Sequence, residues 1–136
     1  MSEEYVHEQL NPKNWKPAIG YANGVLAEGR MVFLGGHIGW NGQQIFETDD
    51  FVEQVDQTLQ NILEVLAEAG GGPEHIVRMT WYITDKRDYL SRLKDMGKVY
   101  RDRMGRNFPA MAMVQVADLI EDEAKVEIEA TAVLPG

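Results

Sequence analysis

The stretch from residue 108 to residue 134 constrains the fold most, because side chains in two of its segments alternate with a period of two. This period predicts two successive β-strands. One face of the first strand is predicted to carry Met111, Met113, Gln115 and Ala117. In the second strand a continuously apolar face suits a helix layer, and the mixed face opposite contains Lys125, Glu127, Glu129, Thr131 and Val133. Since buried carboxylates need partners, we expect the mixed face to meet solvent, a cleft or another subunit.

Two helices are predicted to cover the apolar sheet face. From Val52 to Ala69, apolar residues recur every three or four positions, which is the spacing of a helix with one buried stripe. Asp50 is a suitable N-cap for this helix, and the glycines after residue 69 end it. A strand from Ile76 to Thr84 comes next, and a second helix is predicted between Asp85 and Gly105.

The N-terminal part of the sequence carries weaker signals. Residues 1–15 lack periodicity and are predicted to form an irregular surface segment. Two strands, Gly20–Ala27 and Met31–Ile38, are predicted to pair through a short connection that contains Gly29. The turn dipeptide Asn23-Gly24 leaves open a bulge or a later start for the first of these strands.

The predicted order β-β-α-β-α-β-β indicates an α+β fold. We expect a single domain over residues 1–136, with a mixed sheet and two helices on one face. The other sheet face is then bare. Because Met111, Met113 and Tyr82 are predicted on it, this face would expose a large apolar patch of the kind that marks an oligomer contact.

Composition and missing motifs exclude several classes of function. A net charge of -9 argues against a binder of DNA or anionic membranes, because the field of the protein repels polyanions. Cysteine is absent, which rules out disulfides and thiolate chemistry, and the apolar runs are too short to span a bilayer. The N-terminus lacks signal-peptide features, so a cytoplasmic location is expected. No nucleotide, nucleophilic-serine or zinc motif occurs, so neither a cofactor nor a metal is predicted.

Two side-chain patterns remain as candidates for function. Glu127 and Glu129 are predicted opposite the two methionines, where a carboxylate beside apolar walls can have a raised pKa and act as an acid or base. A solvated face or an ion pair across a subunit boundary explains these two residues equally well. The other pattern is a basic run on the second helix, which a solvated face explains better than RNA binding does: Arg92, Lys94, Lys98, Arg101, Arg103 and Arg106.

Five stretches of the sequence, in this order, carry a resemblance to a known family: GYANGV, VFLGGHIG, QTLQNILEVLAEAGGGPEHIVRMTWYITD, FPAMAMVQV and KVEIEATAV. From about residue 16 onward, the chain resembles the RidA family, also called YjgF or L-PSP. The resemblance implies a chorismate-mutase-like α+β fold and a homotrimer whose bare sheet faces pack inward. It also implies clefts between neighbouring subunits, in which active members hydrolyse reactive enamines and imines to a keto acid and ammonia.

The site residues of the family carry over unevenly. By the resemblance, Tyr21 matches a cleft tyrosine, Gly36 a glycine whose backbone meets the ligand, and Glu127 a glutamate that positions the attacking water. Active members have an arginine that grips the substrate carboxylate where this chain has Met111. They often have a cysteine where it has Met113.

The loss of that arginine changes the expected ligand. We expect the cleft to bind a small metabolite that is less anionic and more apolar than the imino acids of active members, with hydrolytic deamination as the leading hypothesis. His37, next to Gly36, is a candidate replacement donor. Three alternatives stay open: a ligand-binding or regulatory trimer without catalysis, an enzyme acting on another carbonyl or amide metabolite, and an RNA-acting protein.

Overall fold

The structure, a computed structural model, describes residues 6–136. Strands β1 (Glu8–Leu10), β2 (Gly24–Leu26) and β3 (Arg30–Ile38) are followed by helix α1 (Phe51–Ala67) and strand β4 (Ile76–Ile83). Helices α2 (Lys86–Leu90) and α3 (Leu93–Met104) precede the last two strands, β5 (Ala110–Gln115) and β6 (Val126–Leu134).

A four-stranded sheet in the order β3-β6-β4-β5 forms the centre of the domain. β6 pairs antiparallel with β3 and with β4, whereas β5 pairs parallel with β4. The apolar stripe of α1 and residues of α3 form one buried cluster with β4 and β6, which includes Leu59, Met96, Met79 and Ile128. The predicted α+β fold, a mixed sheet with helices on one face, is confirmed.

The helix boundaries follow the predicted caps, except at one break. The Asp50 carboxylate accepts a hydrogen bond from the Glu53 N–H at 3.0 Å and starts α1. α3 ends at Gly105, which has a φ of +63°. The second predicted helix is divided into α2 and α3, because Arg92 adopts a non-helical backbone and pairs with Asp50 and Asp95. The apolar stripe continues across this break, so its spacing could not reveal it.

The predicted pairing of the N-terminal strands is wrong. β2 pairs antiparallel with β1, which lies inside the segment predicted to be irregular, and not with β3. Residues 1–5 of that segment lie outside the described residues. The chain before β2 docks on β5 instead, because the Ala22 N–H donates to the Pro109 carbonyl at 3.0 Å. Gly29 marks a close passage, where a Cβ would overlap the Leu134 carbonyl and φ is +148°.

The predicted orientation of β5 is also wrong. Met111 is the Cα partner of Met79, and Met113 is the partner of Trp81. Both partners are buried under the helices, and residues paired in a sheet share a face. Met111 and Met113 therefore lie on the helix-covered side, half-buried against the core. Both faces of β5 are apolar in sequence, so its alternation could not decide which one faces the helices.

Candidate functional site

Gly36 and Glu127 meet on the open face of the sheet. The ladder between β3 and β6 is interrupted between Leu34 and His37, so β3 contains a bulge at its two glycines. A Cβ added to Gly36 would overlap the Glu127 carboxylate, whereas one added to Gly35 would meet nothing within 4 Å. Glycine at position 36 therefore lets the carboxylate lie directly against the backbone of β3.

The open face around Glu127 is polar. Tyr82 is the Cα partner of Glu127 in the β4–β6 ladder. The Tyr82 hydroxyl donates to Glu129 at 2.9 Å, and this hydrogen bond is the main cause of the raised pKa of Tyr82. The methionine walls that the sequence predicted beside Glu127 are not on this face, so that part of the prediction is wrong.

His37 lies on the opposite side of β3 from Gly36. Its Cα partner is Ile128, which is fully buried in the core. Burial lowers the pKa of His37 and favours the neutral imidazole. A neutral ring is a weaker partner for a carboxylate than an arginine is. Within one chain, His37 therefore does not join Gly36 and Glu127 as a cationic donor.

A groove opens between β5 and α3, on the helix-covered side of the sheet. It has a volume of about 410 Å³, and its walls are largely aromatic and thioether side chains, including Trp81, Tyr89, Met96, Tyr100, Met111 and Met113. A second depression of about 600 Å³ shares both methionines and extends the groove to Tyr21. The docking of Ala22 on β5 carries Tyr21 to this position. The structure thus brings together three of the predicted ligand-binding residues, Tyr21, Met111 and Met113.

Ring packing and a hydrogen bond from Tyr100 stabilise the aromatic wall of the groove. Tyr100 stacks on Phe108 with ring centroids 5.4 Å apart, and its hydroxyl donates to the Asn107 carbonyl at 2.6 Å. The Trp81 ring lies 6.5 Å from that of Tyr100. Only 2% of Trp81 is exposed, and its indole N–H has no hydrogen-bond partner in the described part of the chain. These contacts give the groove a preformed apolar floor.

Five of the six basic residues of the second predicted helix divide into two groups, and the sixth, Lys94, neither forms an ion pair among residues 6–136 nor lines the groove. Three of them pair with carboxylates: Arg92 with Asp50 and Asp95, Lys98 with Asp102, and Arg103 with Asp56. Arg101 and Arg106 form no ion pair with any residue from 6 to 136, and both line the groove. The basic run is therefore not one uniform cationic surface.

Sequence reasoning missed the two groove arginines as site residues. Leu93, Gly97 and Arg101 recur at intervals of four, so they share one face of α3, and all three line the groove. That spacing was readable in the sequence. Its meaning for the site was overlooked, because Gly97 interrupts the apolar stripe of the helix and Arg101 resembled the other solvent-exposed charges.

Residues 6–136 contain neither a candidate metal site nor a candidate membrane span. In that range, no group of three or more metal-binding side chains comes together. None of the helices formed there is long and apolar enough to cross a membrane.

The family of this chain follows from a match to a family model. The model named Endoribonuclease L-PSP matches residues 12–134. The chain belongs to the L-PSP family. The resemblance to RidA and YjgF proteins is thereby confirmed, and relatives and structural neighbours carry RutC and Rid names.

Relatives span nearly the whole chain. A RutC family protein from Aquifex aeolicus is 35% identical over 130 residues, which cover 94% of this chain and 99% of that protein. TdcF of Escherichia coli, provisionally named a reactive intermediate deaminase, is 36% identical over 117 residues, or 85% of this chain and 88% of TdcF. The family therefore includes relatives named for deamination of reactive intermediates.

Solved structures support the same fold. YyfB of Yersinia pestis, a Rid family protein of unknown function, superposes with a TM-score of 0.83 at 28% identity, covering 94% of this chain and 98% of YyfB. The crystal structure of TdcF with bound serine gives a TM-score of 0.68 at 30% identity, covering 93% of this chain and 98% of that one.

Proposed function

We propose that this L-PSP family protein is a homotrimeric hydrolase that deaminates the enamine or imine of a small apolar metabolite in clefts between subunits. One observation carries the proposal. Gly36 and Glu127 lie on the open sheet face, whereas Met111 and Met113 lie in a groove on the helix-covered side. Residues that match one site of the family are thus separated by the sheet within a chain. A second copy is needed to bring the two halves together.

The open face suits contact with other copies. Phe33 is 74% exposed and Met31 is 58% exposed, and both lie on β3 at the edge of the sheet. Uncovered apolar side chains of this size favour burial against a partner. Size exclusion coupled to light scattering should give three times the chain mass of 15.4 kDa. A mass of one chain at micromolar concentration would overturn the assembly.

The proposed reaction needs one activated water. Glu127 accepts a proton from water as the water oxygen bonds to the imine carbon, and the electron pair of the C=N bond moves to the nitrogen, which takes that proton back and gives a carbinolamine. Glu127 then transfers the hydroxyl proton to the nitrogen, the C–N bond breaks and releases ammonia, and the O–H electron pair forms the carbonyl of a keto acid or ketone. The glycine at position 36 leaves room for the carboxylate beside the backbone, and the β3 backbone then limits the directions from which water can approach it.

The methionines set the proposed specificity. A thioether makes no charge-assisted hydrogen bond, so Met111 cannot grip a substrate carboxylate as an arginine does. Met111 and Met113 instead offer an apolar wall to the substrate side chain. The preferred substrates should therefore be more apolar than 2-iminopropanoate.

A cytoplasmic location is part of the same proposal and can be checked by cell fractionation.

A subunit-mixing experiment tests the shared cleft. Glu127→Gln impairs the open-face half, and Gly97→Phe fills the groove half at a position with open space around it. Each variant alone should lose turnover of imines that L-amino-acid oxidase generates from leucine or phenylalanine. When the variants are co-expressed with two different affinity tags and purified through both, the mixed trimers should regain about a third of wild-type activity, because each contains one intact site among its three.

Two outcomes of this experiment would contradict the proposal. Mixed oligomers that stay inactive while each chain remains folded would place the whole site in one subunit. Wild-type protein that leaves every imine at its spontaneous rate of hydrolysis would remove the catalytic claim. That second result would favour a ligand-binding trimer without catalysis, the alternative that the missing arginine supports.

A further inference from the structure

The groove carries positive charge that the chain itself does not neutralise. The chain has a net charge of -9, and three of the basic side chains near α3 have acidic partners. Arg101 and Arg106 have no acidic partner among residues 6–136, although both line one apolar groove. The helix dipole favours a cation at position 101, in the last turn of α3. It does not account for Arg106, which lies beyond the end of the helix.

Gly97 points to a ligand in the same groove. A glycine inside a helix destabilises it by about 1 kcal/mol relative to alanine. Packing within the chain does not require the glycine, because a Cβ at this position would meet nothing within 4 Å. Its effect is to keep the wall of the groove open beside the two arginines.

We propose that Arg101 and Arg106 bind the carboxylate of a ligand whose apolar body lies on Met111 and Met113. The anion contact that β5 lacks would then come from the end of α3. This proposal deepens the proposed function and rests on it for the reacting group of the substrate. The ligand class becomes an aryl or branched-alkyl carboxylate, not a neutral metabolite.

The size and chemistry of the groove fit such a ligand. A volume of about 410 Å³ is within the range of small-molecule sites, which combine mostly apolar walls with a few polar groups. Guanidinium groups bind carboxylates through two parallel hydrogen bonds. A short acid would leave most of the aromatic wall uncovered, so an apolar body is needed for binding.

The test compares a carboxylate with its neutral analogue by calorimetry on the wild-type protein. Phenylacetate should bind about 10-fold or more tighter than phenylacetamide, because only the acid forms charge-assisted hydrogen bonds. The double variant Arg101→Gln, Arg106→Gln should lose about 10-fold to 100-fold in affinity for phenylacetate, and each single variant less. Its affinity for phenylacetamide should stay within about twofold.

Two further variants isolate the groove. Arg87→Gln makes the same chemical change on α2 at a side chain that does not line the groove, so it should leave phenylacetate binding within about twofold of wild type. Gly97→Leu should abolish binding of both probes while the circular dichroism spectrum and unfolding transition show that the fold is kept.

The proposal is overturned if phenylacetate and phenylacetamide bind equally, or if the double arginine variant binds phenylacetate like wild type. It is also overturned if neither phenylacetate nor the branched-alkyl acid 3-methylbutanoate binds. These measurements do not depend on turnover. Arginine-dependent binding without hydrolysis of any imine would keep this inference and remove the proposed reaction. Imine hydrolysis that is unchanged by substitution of both arginines would keep the proposed reaction and remove this inference.

Discussion

The open sheet face and the groove differ in almost every physical property. At the face, a carboxylate lies against a glycine backbone and a tyrosine binds a second carboxylate. In the groove, aromatic rings and thioethers surround a preformed space with two arginines at its wall. The surroundings of Glu127 on the face can activate water but are polar, whereas the groove can hold an apolar acid but contains no general base. Each region therefore supplies what the other lacks, which is the reason to expect them to act together.

The largest expected effect tests the chemical role of the face. Glu127→Gln keeps the size of the side chain but removes its basicity, so kcat should fall by about 10²-fold to 10³-fold. KM should change little, because the groove supplies most of the binding contacts. Steady-state assays of oxidase-generated imines, with the keto acid product quantified, measure both constants. Equal losses in binding and turnover would assign Glu127 a binding role.

The next effect tests the contact between Gly36 and Glu127. Gly36→Ala places a methyl group where the carboxylate now lies, so the carboxylate must move. Because small displacements of a catalytic group are costly, activity should fall about 10-fold to 100-fold. Stability should change by less than about 1 kcal/mol, since the displaced atoms are the end of a flexible side chain.

Gly35 provides the matched control for that variant. It lies next to Gly36 in the same bulge, and a Cβ there would meet nothing within 4 Å. Gly35→Ala should therefore leave the rate close to that of wild type. Similar losses in the two alanine variants would indicate that the flexibility of the bulge, and not the position of the carboxylate, controls the reaction.

The fold was predictable because most of its elements carry redundant local signals. α1 has a spaced apolar stripe, a capping aspartate and terminal glycines, and all three agree with the structure. β2 has only a weak turn signal, and its true partner, β1, has none. Pairing between short strands distant in sequence depends on tertiary contacts such as the bond from the Gln9 side chain to the Phe108 carbonyl, 2.8 Å long.

The site was less predictable than the fold, because the positions of its ligand-binding residues depend on which face of β5 packs against the helices. The family resemblance assigned separate roles in one cleft to Gly36 and Glu127, and the bulge at the two glycines explains how they meet. Met111 and Met113 were assigned to the wrong face, since an edge strand with two apolar faces does not reveal its orientation. The unpaired arginines became visible only when the ion pairs of their neighbours were known.

A smaller effect is expected when the groove is given a third guanidinium. Met111→Arg should turn over 2-iminopropanoate about threefold to 10-fold faster than the wild type. The new guanidinium can lie along the wall of the groove and bind the substrate carboxylate. Glu127 lies across the sheet in the same chain. Repulsion from Arg101 and Arg106 limits the gain. Wild-type turnover of 2-iminopropanoate as fast as that of a family member with arginine at this position would refute the changed specificity.

The smallest effect concerns His37 and tests which side of β3 it occupies. Burial lowers the pKa of His37 in the folded protein, whereas an unfolded histidine titrates near pH 6.5. Between the folded pKa and about 6.5, the unfolded chain binds more protons, so the stability of the wild type falls as the pH drops through this interval. His37→Gln has no such titration, and its free energy of unfolding should fall less between about pH 8 and pH 5. Urea titrations of both proteins across that range measure the difference. An identical pH dependence would mean that the ring is as well hydrated as in the unfolded chain, and His37 would return as a cationic ligand donor beside Gly36.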